Sequence, residues 1–520
     1  MRFFNTTGPC NPEAHYMLPP EERLVGAQLH RYIRDKLYWV LHAPRQTGKT
    51  TFLKSWMQKI NSGALMREDA VACYVNVERS QGLSDPERAI PVICEAIASS
   101  ALKSDLTGLR VAGTSPYSML YDTLENLATL ASPKKLIMLF DEVDVLTGDT
   151  LLSFLRQLRD GFYFKDDKLF PSSIVLVGMR DLKDYITAAK GGIPVNPGSP
   201  FNIKADSVFI NNFSKIDIER LFTQRTAETG QQISGEALDY VYEQSKGQPW
   251  IVNSLFQRAT MRILDENSSE TVSIEHIRQA REQMILARET HLDALAFRME
   301  NSAIRRVMEV LMTGGVDFDL PESEGFRLCM DLGLVAIEDG DPIVANPIYR
   351  EILARKMTYG PQLAIPKPEF RWENPDGSLD MDTLLQAFQQ FWRENSETWE
   401  EKSDYTEAFP QLLLIAFLQR VLNGGGRIDR EYAAGRGRMD LYIEYKEHGY
   451  IIEIKLIHPK HSMETVRSKG LEQIAKYRDT KAPAAPAYLL IFDRRPEAKD
   501  LPWEDRISWT KEGAITVLGC

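Results

Sequence analysis

Short apolar runs alternate with helical patterns through the first third of the chain. The apolar runs predict strands at 37–42, 70–77, 136–140 and 173–177, and periodicity predicts helices at 51–60, 84–104, 116–131 and 150–162. Apolar runs without polar alternation are typical of strands buried on both faces. Strands that alternate with helices predict a parallel α/β sheet.

The pattern changes twice further along the chain. Residues 214–290 are predicted to be wholly helical, and a helix at 301–313 with a hairpin over 333–346 predicts a small winged-helix unit. The prolines of 360–367 indicate a linker. Beyond it we expect helices at 381–395, 404–423 and 464–478, and strands at 439–445, 450–457 and 486–493.

These patterns predict a multidomain α/β protein. The predicted parts are a parallel-sheet core at 1–213, a helical lid at 214–291, the winged-helix unit at 292–360, a linker and helix at 361–399, and a second α/β domain at 400–520.

Composition narrows the class of protein. The net charge of -11 argues against a surface that coats nucleic acid, and five scattered cysteines argue against a zinc ribbon or a disulfide framework. The N-terminus lacks an apolar signal core, and no apolar run reaches the ~20 residues that span a bilayer. We therefore expect a cytoplasmic protein that does not enter a membrane.

The loop between strand 37–42 and helix 51–60 has the features of a phosphate cradle. Backbone N–H groups at a helix N-terminus bind phosphate, Lys49 would reach the β- and γ-phosphates, and the Thr50 hydroxyl would bind Mg²⁺. Ala43 replaces the usual first glycine of such a loop. The predicted nucleotide-binding residues here are Pro44, Arg45, Gln46, Thr47, Gly48, Lys49, Thr50 and Thr51.

Two acidic residues, Asp141 and Glu142, follow the apolar run at 136–140. Asp141 at its end would join Thr50 in the magnesium shell, and Glu142 would polarise the attacking water. Together with the loop, this pair predicts that the protein binds ATP. Arg180 follows the next strand and either senses the γ-phosphate or is a surface arginine.

Several segments resemble AAA-like ATPases related to the STAND and origin-recognition families. These segments are 4–13, His42 to Thr50, Ser199 to Ile203, Gly247 to Trp250 and Val344 to Arg350. The resemblance implies an ATP-controlled switch, often a homo-oligomer, in which Pro249 of the lid contacts the nucleotide. The acidic wing tip around Asp339 favours packing of the winged-helix unit against the ATPase core over DNA binding.

A second candidate site lies on the hairpin of strands 439–445 and 450–457. If Tyr445 lies opposite Tyr450, then Asp440 lies opposite Lys455 and shares a face with Glu453. Two carboxylates and a lysine on one face could bind Mg²⁺ or Mn²⁺ and activate a water for phosphodiester hydrolysis. The alternative is a surface salt bridge. The opposite face is apolar and therefore core: Leu441, Ile443, Tyr445, Tyr450, Ile452, Ile454 and Leu456.

Neighbouring residues strengthen this interpretation. Gln473 and Tyr477 lie four apart on the next helix and are expected to face one way, together with Lys469. Glu407 is either a third metal ligand or an exposed helix residue. A local basic strip precedes Asp440: Arg427, Arg430, Arg436 and Arg438.

Residues 400–495 resemble the PD-(D/E)xK nucleases, particularly the RecB-like branch. Asp440 matches the family's aspartate, Glu453 to Lys455 its ExK motif, and Gln473 to Tyr477 its QxxxY motif, while Met439 replaces the family's proline. The resemblance implies a restriction-endonuclease-like fold with Asp440, Glu453, Lys455, Gln473 and Tyr477 as catalytic residues.

Taken together, the two sites predict an ATPase that is also an ATP-regulated, Mg²⁺-dependent nuclease acting on DNA. RNA is a further candidate substrate, and defence against foreign DNA is a hypothesis. The alternative is an ATP-binding regulatory switch whose nuclease-like module only binds nucleic acid or a partner.

Overall fold

The computed structural model describes most of the chain. The described residues are 1–24, 26–65, 69–111, 113–164, 169–179, 203–286, 297–313, 320–353, 356, 372–402, 409–422, 426–434, 437–446, 448–457, 462–480, 484–493, 495, 502 and 508–520. They form two compact units. The first comprises Met1–Glu289 and Phe326–Ile348, and the second comprises Thr290–Gly325 and Tyr349–Cys520.

The first unit is built on a five-stranded sheet in which all neighbouring strands are parallel, as predicted. The strand order is β2-β3-β4-β1-β5. The strands are β1 (Tyr38–His42), β2 (Ala70–Asn76), β3 (Lys135–Asp141), β4 (Ser173–Gly178) and β5 (Lys204–Phe209). The first four confirm the predicted strands. The sequence pattern missed β5, because this edge strand carries exposed polar residues and has no apolar run.

Helices cover both faces of this sheet. Alternate strand residues contact different cores: Val40 and Leu176 pack with α3, α4 and α5, whereas Leu41 and Val175 pack with α1 and α2. Four of these helices confirm the predictions of this region, namely α2 (Lys49–Asn61), α3 (Pro86–Lys103), α4 (Met119–Ala131) and α5 (Gly148–Phe164). Helix α1 (Leu29–Arg34) was not predicted.

The segment 214–290 is helical in its described part, apart from its connections and one isolated bridge between Ile233 and Val272. The helices are α6 (Lys215–Thr229), α7 (Gly235–Ser245), α8 (Pro249–Gln257), a π-helix (Arg258–Ile263) and α9 (Ile274–Leu286). We call this segment the lid. Ser214 caps α6 through a capping box with Asp217, which fixes where the lid begins.

The predicted hairpin over 333–346 is confirmed as β6 (Val335–Glu338) and β7 (Asp341–Val344), and it belongs to the first unit. Asp339 and Gly340 form its two-residue turn with φ of 53° and 91°. Glu338 forms an ion pair with Lys246 of the lid. This ion pair joins the hairpin to the lid within the first unit. The helices that precede the hairpin in the chain are α10 (Ser302–Thr313), which confirms the prediction at 301–313, and α11 (Glu324–Asp331), which was not predicted.

The second unit contains a six-stranded mixed sheet of order β12-β13-β11-β10-β9-β8. Helices α12 (Met381–Lys402) and α13 (Phe409–Leu422) pack on one face of the sheet, and α14 (Met463–Thr480) packs on the other. The strands are β8 (Gly426–Ala434), β9 (Gly437–Tyr445), β10 (His448–Ile457), β11 (Ala487–Asp493), β12 (Ser508–Glu512) and β13 (Ile515–Gly519). The sequence pattern missed β8, β12 and β13.

The predicted register of the β9–β10 hairpin is wrong by two residues. Tyr445 pairs with His448 rather than Tyr450, and Tyr450 pairs with Ile443. The cause is a turn of two residues, in which Lys446 has a φ of 52°, instead of the expected four. Because side chains alternate with period two, this shift preserves both predicted faces. The apolar face lies in the core with α12 and α13, as predicted.

No helix in the described part of the chain is both long enough and apolar enough to cross a membrane.

Candidate functional site

The loop before α2 holds Lys49 in a buried position. Gly48 adopts a φ of 97° and ends the loop, so that Lys49 begins the helix. The Lys49 Nζ donates hydrogen bonds to the carbonyl oxygens of Ala43, at 2.7 Å, and Pro44, at 2.9 Å. Burial lowers the pKa of Lys49, and the neighbouring carboxylates oppose this shift. Among the described residues, the ammonium is held by these two carbonyl oxygens, which phosphate oxygens could replace.

Thr50 and Asp141 meet at the end of the sheet, as the sequence predicts for a magnesium pair. The Thr50 Oγ1 donates to Asp141 Oδ2 at 2.7 Å, and Asp141 is 1% exposed. Tyr74 of β2 donates to the same Oδ2 at 2.9 Å. The backbone N–H of Glu142 donates to Asp141 Oδ1 at 3.1 Å. Hydroxyl and carboxylate oxygens are the ligands that Mg²⁺ prefers, so these residues fit the ion that the loop implies.

Two further carboxylates surround Lys49. Burial raises the pKa of Glu142, and the charges of Asp144 and Asp141 raise it further. Burial also raises the pKa of Asp144, while the charges of Lys49 and Arg45 oppose that shift. A buried carboxylate with a raised pKa is suited to accept a proton from water near neutral pH. Asp144 was not singled out from the sequence.

The remaining predicted loop residues lie around the same cradle. Arg45 and Gln46 are exposed, Pro44 and Thr51 are half-buried, and the Thr47 Oγ1 donates to the Pro44 carbonyl at 2.9 Å. Gln46 adopts a φ of 59°. Arg180, which was predicted to sense the γ-phosphate or to be a surface arginine, lies outside the described residues.

Arg23 supports the loop from behind, although no sequence motif marks it. Its guanidinium donates to the carbonyl oxygens of Thr47, at 2.7 Å, and Asn211, at 3.0 Å, and lies 4.8 Å from the ring centroid of Phe213. The φ of 97° at Gly48 favours glycine, and a Cβ there would lie 2.7 Å from Arg23 Nη2, so the guanidinium would have to shift. Arg23 therefore joins the loop to the segment that enters the lid.

The N-terminal segment also connects the loop helix with the lid. The Cys10 N–H donates to Thr51 Oγ1 at 3.1 Å, and the Trp250 Nε1 donates to the Thr6 carbonyl at 2.9 Å. Pro249 is the first residue of α8, next to Trp250. A Cβ at Gly247 would lie 1.9 Å from the Phe213 carbonyl oxygen, so the lid turn packs tightly on the start of α6.

The second candidate site lies on β10. Lys455 Nζ and Glu453 Oε1 are 2.6 Å apart, and their side chains are 23% and 2% exposed. The neighbouring Tyr442 and Ile451 on this face pack with α14. Asp440 and Glu453 are the next residues beyond the aligned pair of Leu441 and Ile452. The backbone of β9 thus brings Asp440 towards Glu453 rather than towards Lys455.

The predicted residues of α14 fall in different environments. Tyr477 is 1% exposed and packs in the core under the helix, whereas Gln473 and Lys469 are exposed. Residues four apart lie on neighbouring parts of a helix surface, so Tyr477 lies at the buried border of this face and Gln473 on its exposed part.

Some predicted residues of this site lie outside the description. These are Glu407, Arg436, and the side chains of Asp440, Arg427, Arg430 and Arg438. Among the described side chains, no group of three or more His, Cys, Asp or Glu residues could hold a metal ion.

Comparison with known families identifies both regions. The family described as AAA domain matches residues 33–186, and the PD-(D/E)XK nuclease superfamily matches residues 405–490. Comparison with curated proteins finds no match.

Similar solved structures share little sequence identity with the chain. The Walker-type ATPase PABY2304 of Pyrococcus abyssi is 14% identical, with 67% of this chain and 99% of that chain covered and a TM-score of 0.45. The Aeropyrum pernix ORC2 protein, in ADPNP–ADP complexes, is 13% identical, with coverage of 64% and 92% and a TM-score of 0.41. The family matches show that this chain joins an AAA-type P-loop ATPase domain to a domain of the PD-(D/E)XK nuclease superfamily.

Proposed function

We propose that the protein is an ATP-regulated, metal-dependent nuclease that cleaves phosphodiester bonds of DNA. The observation that carries this proposal is the pair of Glu453 and Lys455. A nearly inaccessible carboxylate lies 2.6 Å from a partly exposed ammonium on one strand, within the region that matches the nuclease superfamily. Burying a carboxylate is costly, so an ion pair in this position is better explained by chemistry than by stability.

The chain's own residues suit phosphodiester hydrolysis. Glu453 and Asp440 would hold Mg²⁺ or Mn²⁺, which when bound supplies charge stabilisation and an activated water. The Lys455 Nζ would orient that water or take its proton. Glu453 fits a metal ligand, because its Oε1 already accepts from a cation and could exchange that partner for the metal. Gln473 is exposed and available to contact the substrate, whereas Tyr477 would act from the core by fixing α14.

The first unit would supply control. Lys49, Thr50 and Asp141 would bind MgATP, and Glu142 would accept a proton from the attacking water. Phosphates in the loop would replace the carbonyl partners of Lys49 and change the loop that Arg23 ties to the lid. We propose that this change, through Pro249 and an ATP-favoured homo-oligomer, switches the nuclease on.

A cleavage assay tests the nuclease proposal. Single- and double-stranded DNA and RNA are incubated with Mg²⁺ or Mn²⁺, with and without ATP. Glu453→Gln and Lys455→Ala should lower the cleavage rate at least about 100-fold, the usual scale for loss of a catalytic acid–base group. Nucleotide binding by both variants should stay at the wild-type level.

Glu512→Gln is the matched control, because it breaks an exposed ion pair with Arg467 in the same unit. It should keep the wild-type cleavage rate, since exposed ion pairs contribute little. If the wild type cleaves none of these substrates under any condition, the nuclease proposal is wrong, and the chain is better described as an ATP-binding switch with a binding module.

A further inference from the structure

Three hydrogen bonds fix the Asp141 carboxylate. Two donors come from residues already assigned to nucleotide chemistry, namely Thr50 and the backbone of Glu142. The third is the Tyr74 hydroxyl, which donates to Asp141 Oδ2 at 2.9 Å. Tyr74 lies far from the loop in sequence and carries no nucleotide motif, so its role follows only from the fold.

Tyr74 is not placed as an ordinary core residue. It lies on β2, one of the two edge strands of the first sheet, and is only half-buried. Its ring lines a cavity of about 630 Å³ at the sheet edge, with Lys54 Nζ 5.6 Å from the ring centroid. The ring thus borders open space, while the hydroxyl reaches a buried carboxylate. In this orientation the polar end of the side chain binds Asp141.

The Tyr74 hydroxyl is an uncharged donor to Asp141. A hydrogen bond from a neutral donor stabilises an ionised carboxylate without adding a competing positive charge.

We propose that Tyr74 is a positioning residue that orients Asp141 for the magnesium ion of MgATP. This inference rests on the proposed nucleotide site. Tyr74 and Thr50 hold the same oxygen, so the carboxylate plane is set before nucleotide arrives. The hydrogen bond also offsets the repulsion that Asp141 receives from Glu142 and Asp144. Loss of the Tyr74 hydroxyl should therefore weaken the binding of Mg²⁺ in the MgATP complex. It should leave phosphate binding by the loop unchanged.

Tyr74→Phe tests this role, because it removes only the hydroxyl. Binding of a fluorescent ATP analogue is measured during a Mg²⁺ titration and separately in EDTA. The Mg²⁺ concentration at half-saturation should rise about tenfold, the scale of a hydrogen bond to a charged group. Binding in EDTA should change less than about twofold, because Lys49 and the loop N–H groups contact phosphate without the metal.

Tyr32→Phe is the matched control. The Tyr32 hydroxyl donates to Asp206 Oδ2 at 2.5 Å, and Asp206 lies on strand β5 at the other edge of the same sheet. The variant loses the same kind of hydrogen bond without touching Asp141 and should keep the wild-type Mg²⁺ dependence. Urea unfolding of both variants checks that each is folded.

Two results would overturn the role of Tyr74. One is an unchanged Mg²⁺ half-saturation in Tyr74→Phe. The other is an equal loss of binding with Mg²⁺ and in EDTA, which would indicate general damage to the site. A wrong assignment of the nucleotide site would give a different result, because the wild type would then bind the ATP analogue no better than Lys49→Ala does. The proposed role of Tyr74 would then also be wrong.

Discussion

Asp141, Glu142 and Asp144 crowd the end of strand β3 beside a single buried lysine. Burial and mutual repulsion raise the pKa of Glu142, and burial raises that of Asp144. The Asp144 Oδ1 is buried and accepts no hydrogen bond from any residue that the structure describes. Such a cluster costs stability in the free protein, and a bound cation would relieve this cost.

Removal of one charge should therefore stabilise the free protein. We expect Asp144→Asn to raise the free energy of unfolding at about pH 7 by about 1 kcal/mol, the usual scale of a single substitution, because burial raises the pKa of Asp144 and disfavours its charged form. The folded-state pKa lies above the unfolded value, so the cost of the carboxylate appears only as the pH rises. The gain should accordingly vanish below about pH 4.

Urea denaturation at both pH values measures this gain. Asp149→Asn serves as the control, because it neutralises an exposed aspartate at the start of α5. An Asp144→Asn gain that is as large at low pH as at neutral pH would show that repulsion and burial of the charge are not its cause.

Residue-level prediction from the sequence succeeded where one short motif holds the chemistry. Lys49 and Thr50 lie on consecutive positions, and Asp141 ends an unmistakable apolar run. Arg23 and Tyr74 reach the same site from distant segments through tertiary contacts. No local spacing marks them, so only the folded chain could reveal them.

At the scale of elements, most strands with an apolar run were predictable and polar edge strands were not. The exceptions are β13, an inner strand that was missed, and β2, an edge strand that was predicted from its apolar residues. A strand buried on both faces must be continuously apolar, which is why β1, β3 and β4 are plain in the sequence. Edge strands β5, β8 and β12 carry charged residues because one side meets solvent. The hairpin register failed for a related reason, because hydrophobic alternation fixes the face of a strand and leaves shifts of two residues open.

The turn at Gly247 leads into α8 and sets the position of Pro249. Gly247 has a φ of +75°, and its added Cβ would lie 1.9 Å from the Phe213 carbonyl oxygen. We expect Gly247→Ala to lower the free energy of unfolding by about 3 kcal/mol or more, because both the backbone strain and the collision must be relieved. It should also weaken ATP binding, since the turn places Pro249.

Gly230→Ala separates the two contributions. Gly230 has a similar φ of +79°, but nothing lies within 4 Å of its added Cβ. This control should cost only about 1 kcal/mol. Equal losses in the two variants, measured by urea denaturation, would show that the close packing of the lid turn on Phe213 contributes nothing.

At the scale of the whole molecule, the chain carries two candidate sites in two compact units. The first unit contains the described cradle of Lys49, Thr50 and Asp141, and the second contains Glu453 and Lys455. Each family match covers one of these regions. The proposed function requires that ATP binding at the first site controls cleavage at the second. Neither site by itself requires such control.

The most direct test of that claim is the rate of DNA cleavage with ATP, with ADP and without nucleotide, in the wild type and in Lys49→Ala. Lys455→Ala defines the background rate, and Mg²⁺ is present throughout. ATP should raise the wild-type rate at least about tenfold, whereas Lys49→Ala should stay at its nucleotide-free rate, and ADP should not replace ATP. Equal cleavage by the wild type and Lys49→Ala under all three conditions would contradict control of the nuclease by the ATP site.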